Sequence, residues 1–152
     1  MSLIRVLIVY DSLYGNTEKV AKAIGGALIG EVKVVRVSEA NPAEIKALDL
    51  FIVGSPTQGG NATKAMQAFL DKIPADSIKG MKVATFDTRL TSKFVKIFGY
   101  AADRMTKVLK SKGAISIMPP EGFFVIDREG PLQERELERA TAWAKKLVET
   151  RN

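Results

Sequence analysis

Short apolar runs rich in Val and Ile alternate with stretches of helical periodicity, and this alternation constrains the fold more than any other feature of the chain. Leu3–Tyr10 is the first run, with the character of a strand buried on both faces. Val20, Ala21, Ile24, Ala27 and Leu28 then recur at helical spacing until Gly30. Glu31–Val37 reads as a second strand, Asn41-Pro42 opens a short helix through Ala47, and Leu48–Gly54 reads as a third strand. A helix over Thr63–Ile73 turns Ala65, Met66, Phe69, Leu70 and Ile73 inward, and Lys82–Phe86 is the fourth strand. A basic helical stretch follows to Lys112, with Ala101, Ala102, Met105, Val108 and Leu109 inward, and Gly113 breaks it. Ala114–Met118 is the fifth strand. Pro119-Pro120-Glu121-Gly122 interrupts it before Phe123–Ile126 resumes. After a turn at Asp127–Pro131, the last helix faces Leu137, Ala140, Ala144, Leu147 and Val148 inward, with Trp143 packing near the edge of that face. Such alternation predicts an α/β fold, a five-stranded parallel sheet with helices on both faces. No repeat, linker or low-complexity tract divides the 152 residues, so residues 1–152 are expected to form one domain.

In sheets of this kind ligands bind beyond the carboxyl ends of the strands, where the strand order reverses. Three unusual loops emerge there: Ser12–Thr17, Ser55–Asn61 and Asp87–Ser92. Between a strand and a helix, the backbone N–H groups of Ser12-Leu13-Tyr14-Gly15-Asn16-Thr17 converge with a helix N-terminus whose dipole favours an anion. Ser12 and Thr17 add hydroxyls, Asn16 adds an amide, and Gly15 allows a turn that a Cβ would hinder. The stretch reads either as a cradle for one phosphate or as an ordinary turn in which Asn16 or Thr17 caps the helix. It is neither a dinucleotide fingerprint nor a P-loop, because the glycine pattern of the first and the Gly-Lys-Ser/Thr of the second are missing.

The chain has no cysteine and no histidine. Disulfides, Fe–S clusters and thiol chemistry are excluded, and the commonest general base and metal ligand is gone. No residue is assigned as a catalytic acid, base or nucleophile, and no metal site is expected. Any demanding chemistry falls to a cofactor. The net charge of +6 is uneven, because the segment from Lys79 to Lys112 alone carries +7. That segment reads as a solvated helix face or as a docking surface, for an acidic redox protein first and an anionic membrane second. Nucleic acid is not an expected partner, since no reader motif accompanies the charges. The N-terminal apolar run is short and carries Arg5, so neither a signal peptide nor a membrane span is read, and a cytoplasmic location is expected.

The pattern Ser12-x-x-Gly15-x-Thr17, together with Gly54-Ser55-Pro56-Thr57 and Gly59-Gly60, resembles the phosphate loop and the second flavin-flanking loop of short-chain flavodoxins. The order of elements agrees over essentially the whole chain, and the fifth strand lacks the insertion of long-chain members. The resemblance implies a sheet of order 2-1-3-4-5, one bound FMN and electron carriage. It implies that Ser12, Tyr14, Gly15, Asn16 and Thr17 hold the 5′-phosphate, with Leu13 giving its backbone N–H. Ser55, Pro56, Thr57, Gln58, Gly59 and Gly60, with Asp87, Thr88 and Arg89, would flank the isoalloxazine. In the family a peptide beside flavin N5 reorients when the ring gains a proton. Gly59-Gly60 suits that role because glycine reaches positive φ freely, although the pair also reads as a simple turn.

Two departures from the family pattern stand out. Gln58 occupies the position where typical members carry Trp or Tyr, and Asp87-Thr88-Arg89 lacks the usual Tyr. Tyr14, Phe94, Phe98 and Tyr100 are the aromatics left to approach a ring, or simply to pack. A missing stack would cost about 0.5–1.5 kcal/mol of binding. A basic third loop also implies a less negative potential for the reduced flavin than in acidic family members. The resemblance leaves two enzymatic alternatives: an NAD(P)H-dependent flavoenzyme of quinone-reductase type, and a haem-pathway flavin oxidase docking on membranes. A receiver-type signalling module shares the topology but needs an Asp at the end of the third strand, where this chain has Gly54-Ser55-Pro56.

Overall fold

The computed structural model describes residues 3–91 and 99–151. Along the chain come β1 (Arg5–Tyr10), α1 (Asn16–Ala27), β2 (Glu31–Arg36), β3 (Leu50–Pro56), α2 (Lys64–Lys72), α3 (Ala75–Ile78) and β4 (Lys82–Arg89). They are followed by α4 (Ala101–Ser111), β5 (Ile115–Ser116), β6 (Glu121–Phe124) and α5 (Glu136–Thr150). The strands pair in parallel in the order β2-β1-β3-β4-β5, and β6 joins the far end of β4. This is the 2-1-3-4-5 sheet with helices on both faces that the alternation and the resemblance imply. The strand order reverses between β1 and β3, so their carboxyl ends open a crevice there.

Alternation along the central strands feeds two cores. Val9, Phe51 and Val53 point to the face covered by α2 and α4, with Met66, Phe69, Leu70, Met105 and Leu109. Ile8, Leu50 and Ile52 point to the other face, where α1 and α5 supply Val20, Ile24, Trp143 and Leu147. Continuous apolar runs are what a strand buried on both faces requires.

Several boundaries differ from the sequence reading. The expected helix from Asn41 to Ala47 is a single 3₁₀ turn, Pro42–Glu44, in which the Asn41 side chain accepts the Ala43 N–H (3.0 Å). Ala47 sits at φ +58, outside any helix. The third strand runs on to Pro56 and the fourth to Arg89, pairing Ser55 with Asp87 and Pro56 with Thr88. The fifth strand is two pieces against one neighbour, with Lys82 opposite Ile115 and then Phe86 opposite Glu121. The break falls over residues 117–120, because Pro119 and Pro120 cannot donate to a ladder, while Glu121 and Gly122 are already back in it. The one-turn helix α3 was not read from the sequence. Ala65 is exposed, and so is Leu137 at 42%. Trp143 packs in the core, as read, at 4% exposure and edge-on to both Phe86 and Phe123 with centroids 6.1 Å apart. Ser92, Lys93, Phe94, Lys96 and Phe98 lie outside the described residues. Among the described residues no helix is long and apolar enough to cross a membrane.

An ionic clamp fixes β6 to α5. Glu136 accepts the Phe124 N–H (2.7 Å) and pairs with Arg139 (2.8 Å), which also reaches Glu121 (2.7 Å) and the Gly122 carbonyl and lies over the Phe123 ring. Burial pushes the Glu136 carboxyl up. The Arg139 and Phe124 hydrogen bonds and the Arg139 charge outweigh it and hold that carboxyl below its usual range.

Gly54 sits where the β3 backbone meets the Phe86 ring, and a Cβ there would stand 2.0 Å from ring carbon. Gly54→Ala is therefore expected to destabilise the protein by about 1–3 kcal/mol. Urea unfolding followed by Trp143 fluorescence measures it, and an unchanged midpoint would contradict this account of the packing.

A candidate cofactor cleft at the strand ends

The first wall grows from the end of β1. The Asp11 N–H donates to the Gly54 carbonyl (3.0 Å). Its carboxylate accepts the Ser12 N–H (2.9 Å) through one oxygen and the Thr63 hydroxyl (2.6 Å) through the other. The Ser12 hydroxyl accepts the Gly15 N–H (3.0 Å), closing a small turn, and Arg36 donates to the Ser12 carbonyl from behind (2.9 Å). Gly15 adopts φ +90 with open space where a Cβ would be, so conformation rather than crowding calls for glycine. Gly15 is the residue before α1, Asn16 is already helical, and no side chain caps the helix. The capped-turn reading of this loop therefore does not hold. The N–H groups of Leu13, Tyr14, Asn16 and Thr17 meet no acceptor among the described residues, which leaves open donors at a helix N-terminus.

The second wall follows β3. Gln58 and Asn61 exchange two backbone hydrogen bonds (2.8 and 3.0 Å) around Gly59 (φ +55) and Gly60 (φ +81). Positive φ at both central residues is the two-residue hairpin turn that glycine favours. The Thr57 N–H donates to the Thr88 carbonyl (2.9 Å), and the Thr57 hydroxyl accepts the Ala101 N–H (3.2 Å). Below, the Ser55 hydroxyl accepts the Thr63 N–H (3.0 Å), and the Thr63 hydroxyl caps α2 at Met66 (3.2 Å).

The third wall is the end of β4. The Thr88 hydroxyl meets that of Thr17 (2.9 Å), joining first and third walls. Asp87 is wholly buried. Its carboxylate accepts two hydrogen bonds from Arg89 (2.7 and 2.8 Å) and the Ala102 N–H (2.9 Å). Burial pushes this carboxyl up, and Arg89 opposes the shift. The Arg89 guanidinium lies 3.4 Å over the Tyr100 ring, and Gly122 leaves it room, since a Cβ there would stand 2.1 Å from its Nε. The positive charge of the third loop is thus paired within the protein.

These walls enclose a cavity of about 360 Å³. Ser12, Leu13, Tyr14, Asn16 and Thr17 line it, with Pro56, Thr57, Gln58, Gly59, Gly60, Thr88 and Arg89. Gly15 shapes the loop without lining it, and Ser55 and Asp87 lie beneath, their polar atoms spent on neighbouring backbone and Arg89. Tyr14 is the aromatic on the wall, while Tyr100 stands under Arg89. Leu13 and Tyr14 are 51% and 46% exposed at the mouth. Leu90, within the third loop, also lines the cavity, and the sequence reading missed Val125 and Arg128. Val125 and Arg128 follow β6, and the same carboxyl-end rule would have found them had the end of the fifth strand been counted as a loop of the site.

Two of the described cations of the basic segment lie away from this cleft. Lys82 begins β4, at the opposite end from the cavity, where its amine reaches the Arg151 carbonyl. Lys112 likewise donates to the carbonyls of Asp71 (2.9 Å) and Ile73 (2.7 Å). Among the described residues no cluster of three His, Cys, Asp or Glu side chains could hold a metal.

A 2-1-3-4-5 parallel sheet with open N–H donors after β1 and a glycine hairpin after β3 defines a flavodoxin-like α/β class. Residues 7–117 match the flavodoxin domain family, and the chain belongs to it. It is 32% identical over 117 residues to the putative diflavin flavoprotein A 4 of Synechocystis sp., covering 72% of this chain and 19% of that protein. It is 38% identical over 76 residues to a flavodoxin of Aquifex aeolicus, covering 47% of this chain and 41% of the relative. The match thus spans about a fifth of the first relative and two-fifths of the second. Among solved structures, a flavodoxin from the Archaea superposes with a TM-score of 0.80 at 21% identity, over 97% of this chain and 99% of that one. A WrbA-like protein from Agrobacterium tumefaciens gives 0.73 at 19% identity, over 97% of each chain. Both likenesses concern the fold.

Thr63 joins the first wall to the second through Asp11 and caps α2. Thr63→Ala is expected to cost about 1–2 kcal/mol, the loss of a cap and of a hydrogen bond to a carboxylate. Equilibrium denaturation tests this, and a cost within experimental error would remove Thr63 as the joint.

Proposed function

We propose that this domain binds one FMN in the cleft and carries electrons between redox partners. The observation that carries the reading is the uncapped Leu13–Thr17 donor set at one end of a ligand-sized cavity. The fit is direct: a phosphate matches the open N–H groups and the Ser12 hydroxyl, and a flat ring matches a slot between Tyr14, Pro56 and the Gln58–Gly60 turn. Leu13, Tyr14, Asn16 and Thr17 would hold the phosphate, while Pro56–Gly60, Thr88 and Arg89 would flank the ring. FMN, when bound, supplies the electron-accepting chemistry. The protein's own part is to orient the cofactor, leave one edge at the Leu13–Tyr14 mouth, and present or withdraw a peptide group at Gly59-Gly60. The flavodoxin and diflavin names among the relatives support the same assignment.

An absorption titration of apo-protein with FMN and with riboflavin tests this. One FMN is expected per chain, held at least about tenfold tighter than riboflavin, the value of one hydrogen bond to a charged phosphate. Absence of saturable FMN binding would overturn the assignment.

The second reading is an NAD(P)H-dependent reductase of quinone type. It is favoured by Gln58, which stands in the cavity lining where typical family members carry an aromatic, and by the fold likeness to the WrbA-like protein. Steady NADH or NADPH oxidation with a quinone acceptor would select it. For the carrier reading, an acidic redox protein is the proposed partner, supported by the net charge of +6 and the +7 of the Lys79–Lys112 segment. Electron transfer from the reduced protein to ferricyanide, an anionic acceptor, is expected to slow as salt rises. Stopped-flow rates insensitive to ionic strength would remove the electrostatic part of the proposal.

A further inference from the structure

The turn after β6 forms a fourth wall that none of the three loops supplies. The Asn16 side-chain amide donates to the Glu129 carbonyl (3.1 Å), which pins this turn against the anion loop. Gly130, at φ +103, presses on the same side chain, and a Cβ there would stand 2.6 Å from its Oδ1. The turn is shaped from within as well: the Gly130 N–H donates to the Asp127 carbonyl (2.9 Å), and the Arg128 N–H to the Asp127 carboxylate (2.7 Å). Its outcome is a cation at the cavity, Arg128.

Charge accounting gives that placement meaning. Among the described residues two cations line the cavity, Arg89 and Arg128. Arg89 is neutralised by buried Asp87 in a two-point pair. Arg36, behind the anion loop, is spent on the Ser12 carbonyl and stands 3.6 Å from Asp11 and from Glu18. The Arg128 guanidinium has no carboxylate partner among the described residues. A doubly charged phosphate on the Ser12–Thr17 loop would otherwise meet only neutral N–H and hydroxyl donors among the described residues. A planar guanidinium is the group best matched to its oxygens.

We infer that Arg128 is a specificity-determining residue, which supplies the counter-charge for the cofactor's phosphate and selects the phosphorylated flavin over its dephosphorylated form. The inference rests on the proposed FMN reading. Asn16 is then a positioning residue, holding the turn that carries Arg128 as well as lining the cradle.

The experiment measures FMN and riboflavin dissociation constants by flavin fluorescence for the wild type, Arg128→Gln, Arg128→Lys and Gly130→Ala, with thermal shifts of each apo-protein in inorganic phosphate. Arg128→Gln is expected to weaken FMN about tenfold, to flatten its salt dependence and to leave riboflavin unchanged. Arg128→Lys is expected to regain part of the loss through its charge. Gly130→Ala, which displaces the turn, is expected to lower the preference for FMN like Arg128→Gln. Equal loss of FMN and riboflavin, or no loss of either, would overturn the assignment of Arg128. If the wild type binds no FMN, the FMN reading itself fails. The phosphate shifts then decide the role of Arg128: stabilisation lost in Arg128→Gln supports it, and equal stabilisation in both proteins ends it.

Discussion

The Phe86 ring occupies the space that a side chain at position 54 would fill, and much of the molecule is arranged around that contact. Because Gly54 offers only backbone, Phe86 can lie against β3 and present its edges to Phe123 and Trp143. Those three rings seat α5 and β6 on the sheet. The Gly54 carbonyl, in turn, receives the Asp11 N–H at the start of the anion loop. One missing Cβ therefore serves both the core below the cleft and the loop above it. Close packing makes such a point unforgiving, since interiors hold few voids to absorb an added methyl.

Above that core, buried polar groups rather than apolar ones determine the shape of the cleft. Buried Ser55, Thr63 and Asp87, and part-buried Asp11, are each hydrogen-bonded by backbone N–H groups, hydroxyls or Arg89. A buried polar group without a partner is costly, so each of these holds its loop in one arrangement. The donors left open are those of Leu13, Tyr14, Asn16 and Thr17, which face the cavity end. A preformed set of open donors is the result, built on the ends of the strands.

Most of the architecture was legible. The apolar runs located the strands because a strand buried on both faces needs an unbroken run. The carboxyl-end rule located three walls because it depends on strand order alone. The errors have local causes. The Asn41–Ala47 stretch has a good cap and a good first residue, but Ala47 leaves helical φ and only one 3₁₀ turn forms. Ser55 and Asp87 do not line the cavity, because their polar atoms are turned to Thr63, Arg89 and Ala102, partners that only the folded chain supplies. Trp143, read as core packing near the edge of its helix face, does pack in the core, between aromatic partners from β4 and β6.

The sequence by itself determined the class of fold, the strand-to-helix position of Ser12–Thr17 and the glycine pair at 59–60, because periodicity, loop length and backbone freedom are local properties. Tertiary structure decided which charges count. Arg89, the cation that the third loop displays, is neutralised by a carboxylate two residues away, and Lys82 and Lys112 are carried to the far end of the sheet. Arg128, unremarked in its turn, is brought to the cavity by Asn16, 112 residues earlier in the chain. Charge pairing and long-range packing depend on distances that only the folded chain sets, and linear order does not encode them.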